Sequence, residues 1–75
     1  MSDTRKITVL VQEIVTREID IEVPRDTRGA YSAAIDQVRK DYFYKKIKCL
    51  TEGAQPYRIS ARDGKTGYET DWQEF

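Results

Sequence analysis

Residues 7–23 read ITVLVQEIVTREIDIEV and decide the fold of this chain. Positions 7–12 are rich in β-branched residues, with Ile7, Val9 and Val11 on one side and Thr8, Leu10 and Gln12 on the other, and isoleucine or valine alternates strictly with acids over positions 18–23. A period of two is typical of a strand that buries one face and solvates the other. Two such strands this close in sequence predict an antiparallel hairpin. Its turn, near residues 13–17, contains no glycine, so we expect a bulge or a looser turn there.

One helix is predicted after the hairpin, because Pro24 ends the second strand and Asp26 or Thr27 can cap a helix. We expect it to run from about residue 28 to residue 42 or 44. Apolar residues recur on one face at helical spacing. They are Tyr31, Ala34, Ile35, Val38 and Tyr42.

The same helix places acids four residues before lysines, the orientation that favours ion pairing. We therefore expect Asp36 to pair with Lys40, and Asp41 to pair with Lys45.

The C-terminal half predicts three further strands. A short one is expected over residues 46–50, unless these residues form a helix exit instead. A second is expected over the alternating PYRISAR at 56–62, and a third over YETDWQEF at 68–75, with Trp72 in the core. Glycines at 64 and 67 make a hairpin loop between the last two. The fold class is therefore α+β: an antiparallel sheet of four to five strands with one helix on one face, in the order β-β-α-β-β-β.

Composition bounds the function. The 75 residues suffice for one small domain spanning 1–75, in which we expect residues 1–4 to be frayed. Thirteen cations balance thirteen anions, whereas a general duplex binder usually carries an excess of Lys and Arg. A single cysteine excludes an internal disulfide, and no apolar run approaches the ~20 residues of a membrane span. We expect a cytoplasmic protein with no membrane partner.

Catalytic chemistry is sparse. The chain has no histidine, the commonest general base and metal ligand, and no glycine-rich phosphate loop. Glu18, Asp20 and Glu22 share one strand face, and we interpret them as a solvated surface. We therefore predict a protein that is not an enzyme and has neither a metal site nor a cofactor.

The most unusual stretch is RKDYFYKKIK at residues 39–48, with five cations, one acid and three aromatics. If Tyr42 lies on the buried helix face, Phe43 and Tyr44 point about 100° and 200° away from it. Aromatic rings among cations suit stacking on single-stranded bases or anchoring a protein contact. The alternative is that Phe43 closes the core and the lysines form a solvated rim.

The candidate partner-binding residues are the cations and one ring of this stretch, together with two arginines from residues 56–62. They are Arg39, Lys40, Tyr44, Lys45, Lys46, Lys48, Arg58 and Arg62.

The order and length of these elements give a resemblance to a known group. The hairpin ITVLVQEIVTREIDIEV, the helix YSAAIDQVRKDY and the hairpin YRISARDGKTGYETDW together resemble small phage and mobile-element proteins. Among these are the β-β-α-β-β anti-CRISPR proteins and the DpnD/PcfM-like family. The resemblance implies a phage-encoded, non-enzymatic inhibitor in the host cytosol. Such an inhibitor would bind a protein or ribonucleoprotein complex of host defence and occlude its surface.

Two alternatives stay open at this point. One is a weak single-stranded nucleic-acid-binding protein. The other is a homodimeric structural subunit whose first or last strand supplies an unpaired sheet edge.

Overall fold

A computed structural model describes residues 3–49 and 55–75. These residues form a four-stranded antiparallel sheet and one helix that packs against three of its strands, which confirms the α+β class. The strands are β1 (Thr4–Gln12), β2 (Thr16–Pro24), β3 (Arg58–Asp63) and β4 (Gln73–Glu74), and the helix is α1 (Ala30–Phe43).

The sheet order is β2-β1-β3-β4, so β1 lies between two partners. β1 and β2 pair continuously from Thr4 opposite Pro24 to Gln12 opposite Thr16, with no bulge and a turn of residues 13–15. This register puts isoleucine and valine of both strands on the helix side, and a slip by one residue would turn them all to solvent. Of the two expected alternatives, the looser turn forms and the bulge does not, because the apolar pattern fixes the pairing without it.

The core lies between α1 and the inner sheet face. The predicted inward residues of β1, β3 and α1 are buried there, while Tyr31 and Tyr42 lie half-buried at its margin. The buried cluster consists of Ile7, Val9, Val11, Val23, Ala30, Ala34, Ile35, Val38, Ile59 and Ala61.

The helix begins later than predicted. Its N-cap is Gly29, whose φ of 62° is in the left-handed region, and no side chain caps the helix. The predicted caps, Asp26 and Thr27, precede it in a turn in which the Thr27 N–H donates to the Pro24 carbonyl at 3.0 Å. Glycine fits at position 29 because it adopts this φ without a Cβ clash.

The N-terminal prediction also needs correction. Thr4 is already part of β1, and the Asp3 carbonyl accepts a hydrogen bond from the Arg25 N–H at 2.9 Å. The frayed leader is therefore wrong for Asp3 and Thr4. Residues 1–2 lie outside the described part of the chain.

No strand forms over residues 46–49, and residue 50 lies outside the described residues. The backbone N–H groups of Lys46 and Ile47 both donate to the Asp41 carbonyl, at 2.7 and 3.2 Å. These bonds wrap the chain around the helix end, and Ile47 reaches the core from this turn. Of the two alternatives expected for this stretch, residues 46–49 therefore form the helix exit and not the strand.

The C-terminal strand is shorter than predicted. Only Gln73–Glu74 is a strand, and a single bridge joins Arg62 to Glu69. Thr70 interrupts the ladder, because its hydroxyl accepts a bond from the Ala61 N–H at 3.0 Å in place of a backbone carbonyl. Trp72, predicted in the core, is 40% exposed. The one helix among the described residues is too short and too polar to span a bilayer.

Asp63 ties the β3 end to the rest of the fold and is only 5% exposed. One carboxylate oxygen accepts the N–H groups of Thr66 and Lys65 at 2.9 and 2.8 Å. The other accepts bonds from the Arg5 guanidinium and from the Tyr31 hydroxyl. The two backbone donors, followed by Arg5, hold the pKa of Asp63 well below its usual range.

This network predicts acid sensitivity. A depressed folded-state pKa contributes stability that is fully present above the unfolded value of about 4 and is lost as the pH falls through the folded-state value. We expect Asp63→Asn to lower the melting temperature at pH 7 by about 5–10 °C, and to flatten its decline between about pH 5 and pH 2. Thermal unfolding followed by circular dichroism across this range measures both. A variant with the wild-type pH slope would contradict the assignment.

Candidate functional site

The end of α1 exposes two aromatic rings in direct contact. Phe43 is 79% exposed and Tyr44 is 67% exposed. Their ring centroids lie 5.2 Å apart at an interplanar angle of 88°, an edge-to-face arrangement that aromatic pairs favour. Lys45 and Lys46 follow, and both are exposed. We call Phe43, Tyr44, Lys45 and Lys46 the aromatic corner.

The turn after α1 explains why these side chains point outward. The Tyr44 N–H donates to the Lys40 carbonyl at 2.8 Å, and Lys45 then reverses the chain with a φ of 60°. A residue with a Cβ is disfavoured in this left-handed conformation by about 1 kcal/mol, and glycine is its usual occupant at a helix end. The reversal brings Ile47 back to the core while residues 43–46 stay in solvent.

Tyr42 is the ring of this stretch that turns inward. Its hydroxyl donates to Glu13 Oε2 at 2.6 Å, and its ring packs edge-to-face on Phe75 with centroids 5.2 Å apart. Burial, followed by the bond to Glu13, raises the pKa of Tyr42. Tyr42 therefore anchors the helix end against the hairpin turn.

The hairpin acid nearest the aromatic corner already has partners. Glu13 is 4% exposed, and Arg17 Nη1 lies 3.6 Å from its carboxylate. The same arginine donates to the Lys48 carbonyl at 2.8 Å. The Glu13 carboxylate thus links Arg17 and Tyr42 beside the end of α1.

The predicted helix ion pairs do not form. Asp36 lies 3.8 Å from Arg39 Nη1, and Asp41 accepts a bond from Gln37 Nε2 at 2.9 Å. In the described ranges, four exposed lysines of residues 39–48 make no ion pair. They are Lys40, Lys45, Lys46 and Lys48.

Arg39 has a structural role. Its guanidinium donates to the Glu74 carbonyl at 2.6 Å and to the Gln73 side chain at 3.3 Å. These bonds hold β4 against α1. Arg39 is therefore half-buried and is less available to a partner than the lysines that follow it.

The second predicted patch lies on the other sheet face, apart from the aromatic corner. Arg62 pairs with Glu18 across the central strand and lies 3.8 Å from Glu69. Arg58 is exposed and makes no ion pair among the described residues. The structure thus separates Arg58 and Arg62 from the lysine group.

The outer sheet face carries paired charges of both signs. Besides Arg62 and Glu18, Asp20 lies 3.1 Å from Lys6 Nζ and accepts a bond from the Thr8 hydroxyl at 2.9 Å. Leu10 lies on the same face and is buried. Next to Leu10, the Arg62–Glu18 pair joins β3 to β2, the strands on either side of β1.

Phe43 was not among the candidate residues predicted from the sequence. The signal was present: a residue one position after a buried helical residue points about 100° away from it. The roles of Glu13 and Arg17 carried no such signal, because they depend on the hairpin register. Across residues 3–49 and 55–75, no three acids, histidines or cysteines are grouped to hold a metal ion.

Comparison with family models, with curated proteins and with solved structures found no match to this chain. The likeness to small β-β-α-β-β inhibitors thus consists of element order and length.

Proposed function

We propose that this chain is a non-enzymatic binding protein that docks through the aromatic corner onto an anionic surface of a protein or ribonucleoprotein complex. The observation that carries this proposal is the pair of exposed rings beside four lysines that make no ion pair with any residue of the described ranges. Rings supply large contact areas at low entropic cost, and they dominate many interfaces. Free lysines add steering towards a negative surface.

The mode of action that fits this geometry is occlusion. The molecule measures 40 × 23 × 17 Å, so a copy held by one end covers a neighbouring area without any chemical step. The resemblance to phage-encoded inhibitors of host defence implies that the occluded surface is one on which a CRISPR-type complex depends. The resemblance indicates the class of partner, and the exposed rings and lysines indicate which surface of this chain contacts it.

The test is affinity capture from a host lysate, with and without nuclease. We expect the wild-type chain to retain a defined complex and the variant Lys45→Glu/Lys46→Glu to lose at least about nine-tenths of it. A matched control, Arg28→Glu/Lys65→Glu, makes the same change in net charge at exposed sites outside residues 39–48. Equal capture by the Lys45/Lys46 variant, or equal loss in the control, would contradict the proposal.

A second candidate function is weak binding of single-stranded nucleic acid, which the exposed ring pair among cations also favours. We expect its affinity for a labelled oligonucleotide to fall steeply with salt, with a log–log slope of about −0.7 per phosphate contacted. Fluorescence anisotropy at several salt concentrations measures the slope. No binding at tens of micromolar protein and low salt would remove this candidate.

Of the two strands proposed as the pairing edge of a homodimer, the first is not at an edge of the sheet. β1, the predicted first-strand edge, is paired on both sides. β4 does lie at a sheet edge, but it offers only two residues.

A further inference from the structure

The other sheet edge is formed by β2, over nine residues. Long regular edges invite pairing with another chain, and proteins commonly blunt them with bulges, proline, charged side chains or short length. β2 pairs with β1 without a bulge, and its only proline is its last residue. Among residues 3–49 and 55–75, no strand pairs with its outer side.

The outward backbone groups of β2 can be assigned. The Arg25 N–H donates to the Asp3 carbonyl, so these two odd-numbered residues form a hydrogen-bonded pair. The register of β1 and β2 continues from this pair, with odd-numbered residues opposite odd-numbered residues. Hydrogen-bonded and non-bonded pairs alternate along an antiparallel ladder. The odd residues of β2 therefore bond to β1, and the even residues Glu18, Asp20 and Glu22 direct their N–H and C=O groups outward.

The side chains beside this edge define the partner. Glu18, Asp20 and Glu22 all lie on the outer face and are exposed. Ile19 and Ile21 lie on the helix face, half-buried against the core. Hydrogen bonds from Thr8 and then Lys6 lower the pKa of Asp20, so this carboxylate stays ionised. Although Lys6 and Arg62 already contact two of these acids, a carboxylate can accept several hydrogen bonds.

We propose that the β2 edge accepts an extended partner segment in which basic residues alternate with apolar ones. Such a strand would extend the sheet by backbone hydrogen bonds, a known mode of peptide recognition. Its cations would lie beside the three acids, and its apolar residues would lie beside Ile19 and Ile21.

A second copy of this chain does not fit the edge. In a symmetric antiparallel pairing centred on Asp20, Glu18 would face Glu22 and Asp20 would face itself, and like charges directly opposite each other destabilise a sheet. The acids thus select against self-association and for a basic strand. The proposal is independent of the aromatic corner, which lies at the end of α1.

The experiment uses the full chain and a short peptide in which lysine alternates with valine, with a glutamate–valine peptide as its control. Amide hydrogen exchange measured by NMR gives the direct readout. We expect the lysine peptide to slow exchange at Glu18, Asp20 and Glu22 by about tenfold or more, because their free N–H groups become bonded. The inward amides of Ile19 and Ile21 are expected to be protected already. Unchanged exchange at the three acids under excess lysine peptide, or equal protection by the glutamate peptide, would overturn the proposal.

A pair of variants separates backbone pairing from charge. Glu22→Pro removes one outward N–H as well as the charge, and proline is tolerated at such edge positions. Glu22→Gln removes the charge alone. We expect the proline variant to weaken peptide binding by about tenfold and the glutamine variant by about threefold. Equal affinities for the two variants, each shown to be folded by its NMR spectrum, would mean that no strand is added.

Discussion

Ile59→Ala is expected to lower the free energy of unfolding by about 3 kcal/mol, whereas Phe43→Ala is expected to change it by less than about 0.5 kcal/mol. Ile59 is fully buried in β3, where it lies opposite Val11 of the central strand. Removing its side-chain carbons leaves a cavity between sheet and helix. Phe43, the larger side chain, is mostly in water, so its truncation removes little buried surface.

Urea unfolding followed by circular dichroism at 25 °C measures both changes, provided that the m-value is the same for each variant. A small domain of this size has only several kcal/mol of stability, so the Ile59 variant should be close to unfolding at 37 °C. If Phe43→Ala cost as much as Ile59→Ala, the ring would belong to the core, and the aromatic corner would not exist.

The second large effect is expected on binding. Phe43→Ala/Tyr44→Ala should weaken binding to the captured partner by about 100-fold, with a melting temperature within a few degrees of the wild type. Both rings are exposed and contact each other, so they would be desolvated together in a complex. Isothermal titration calorimetry against the purified partner measures the change.

The matched control for this double variant is Tyr68→Ala. Tyr68 is also an exposed ring, but it lies against Tyr31 with centroids 5.5 Å apart, away from the aromatic corner. We expect its replacement to leave partner affinity unchanged. An equal loss of affinity in the control would place the contact elsewhere on the protein.

The sequence predicted the parts of the fold that depend on periodicity. Residues 18–23 alternate strictly, and the apolar positions of residues 31–38 follow helical spacing. Burial of one face therefore specified β2, α1 and the layer between them. β3 followed for the same reason, since Ile59 and Ala61 alternate with polar residues and are buried.

The sequence could not predict features that depend on single hydrogen bonds between distant residues. The Asp41 carbonyl accepts two N–H groups after the helix, so residues 46–49 form a helix exit and no strand. The Thr70 hydroxyl replaces a backbone carbonyl beside β3, so the last strand is reduced to two residues. Neither set of hydrogen bonds changes the hydropathy pattern, so the pattern could not predict them.

The candidate site was predicted unevenly for the same reason. Tyr44, Lys45 and Lys46 are exposed, and helix geometry predicted only that one or two of the three rings at residues 42–44 would lie in solvent. Arg39 was predicted in the same patch as these residues and Arg62 in a second patch, but each has a partner that only the sheet register brings near, β4 in one case and Glu18 in the other.

The central claim is that the aromatic corner is free in the isolated chain and covered in its complex. Hydroxyl-radical footprinting with mass spectrometry measures this directly, residue by residue. We predict fast oxidation of Phe43 and Tyr44 in the free protein, and at least about fivefold slower oxidation in the captured complex, while Tyr68 keeps its rate. Slow oxidation of both rings in the free protein, or unchanged rates in the complex, would contradict the account.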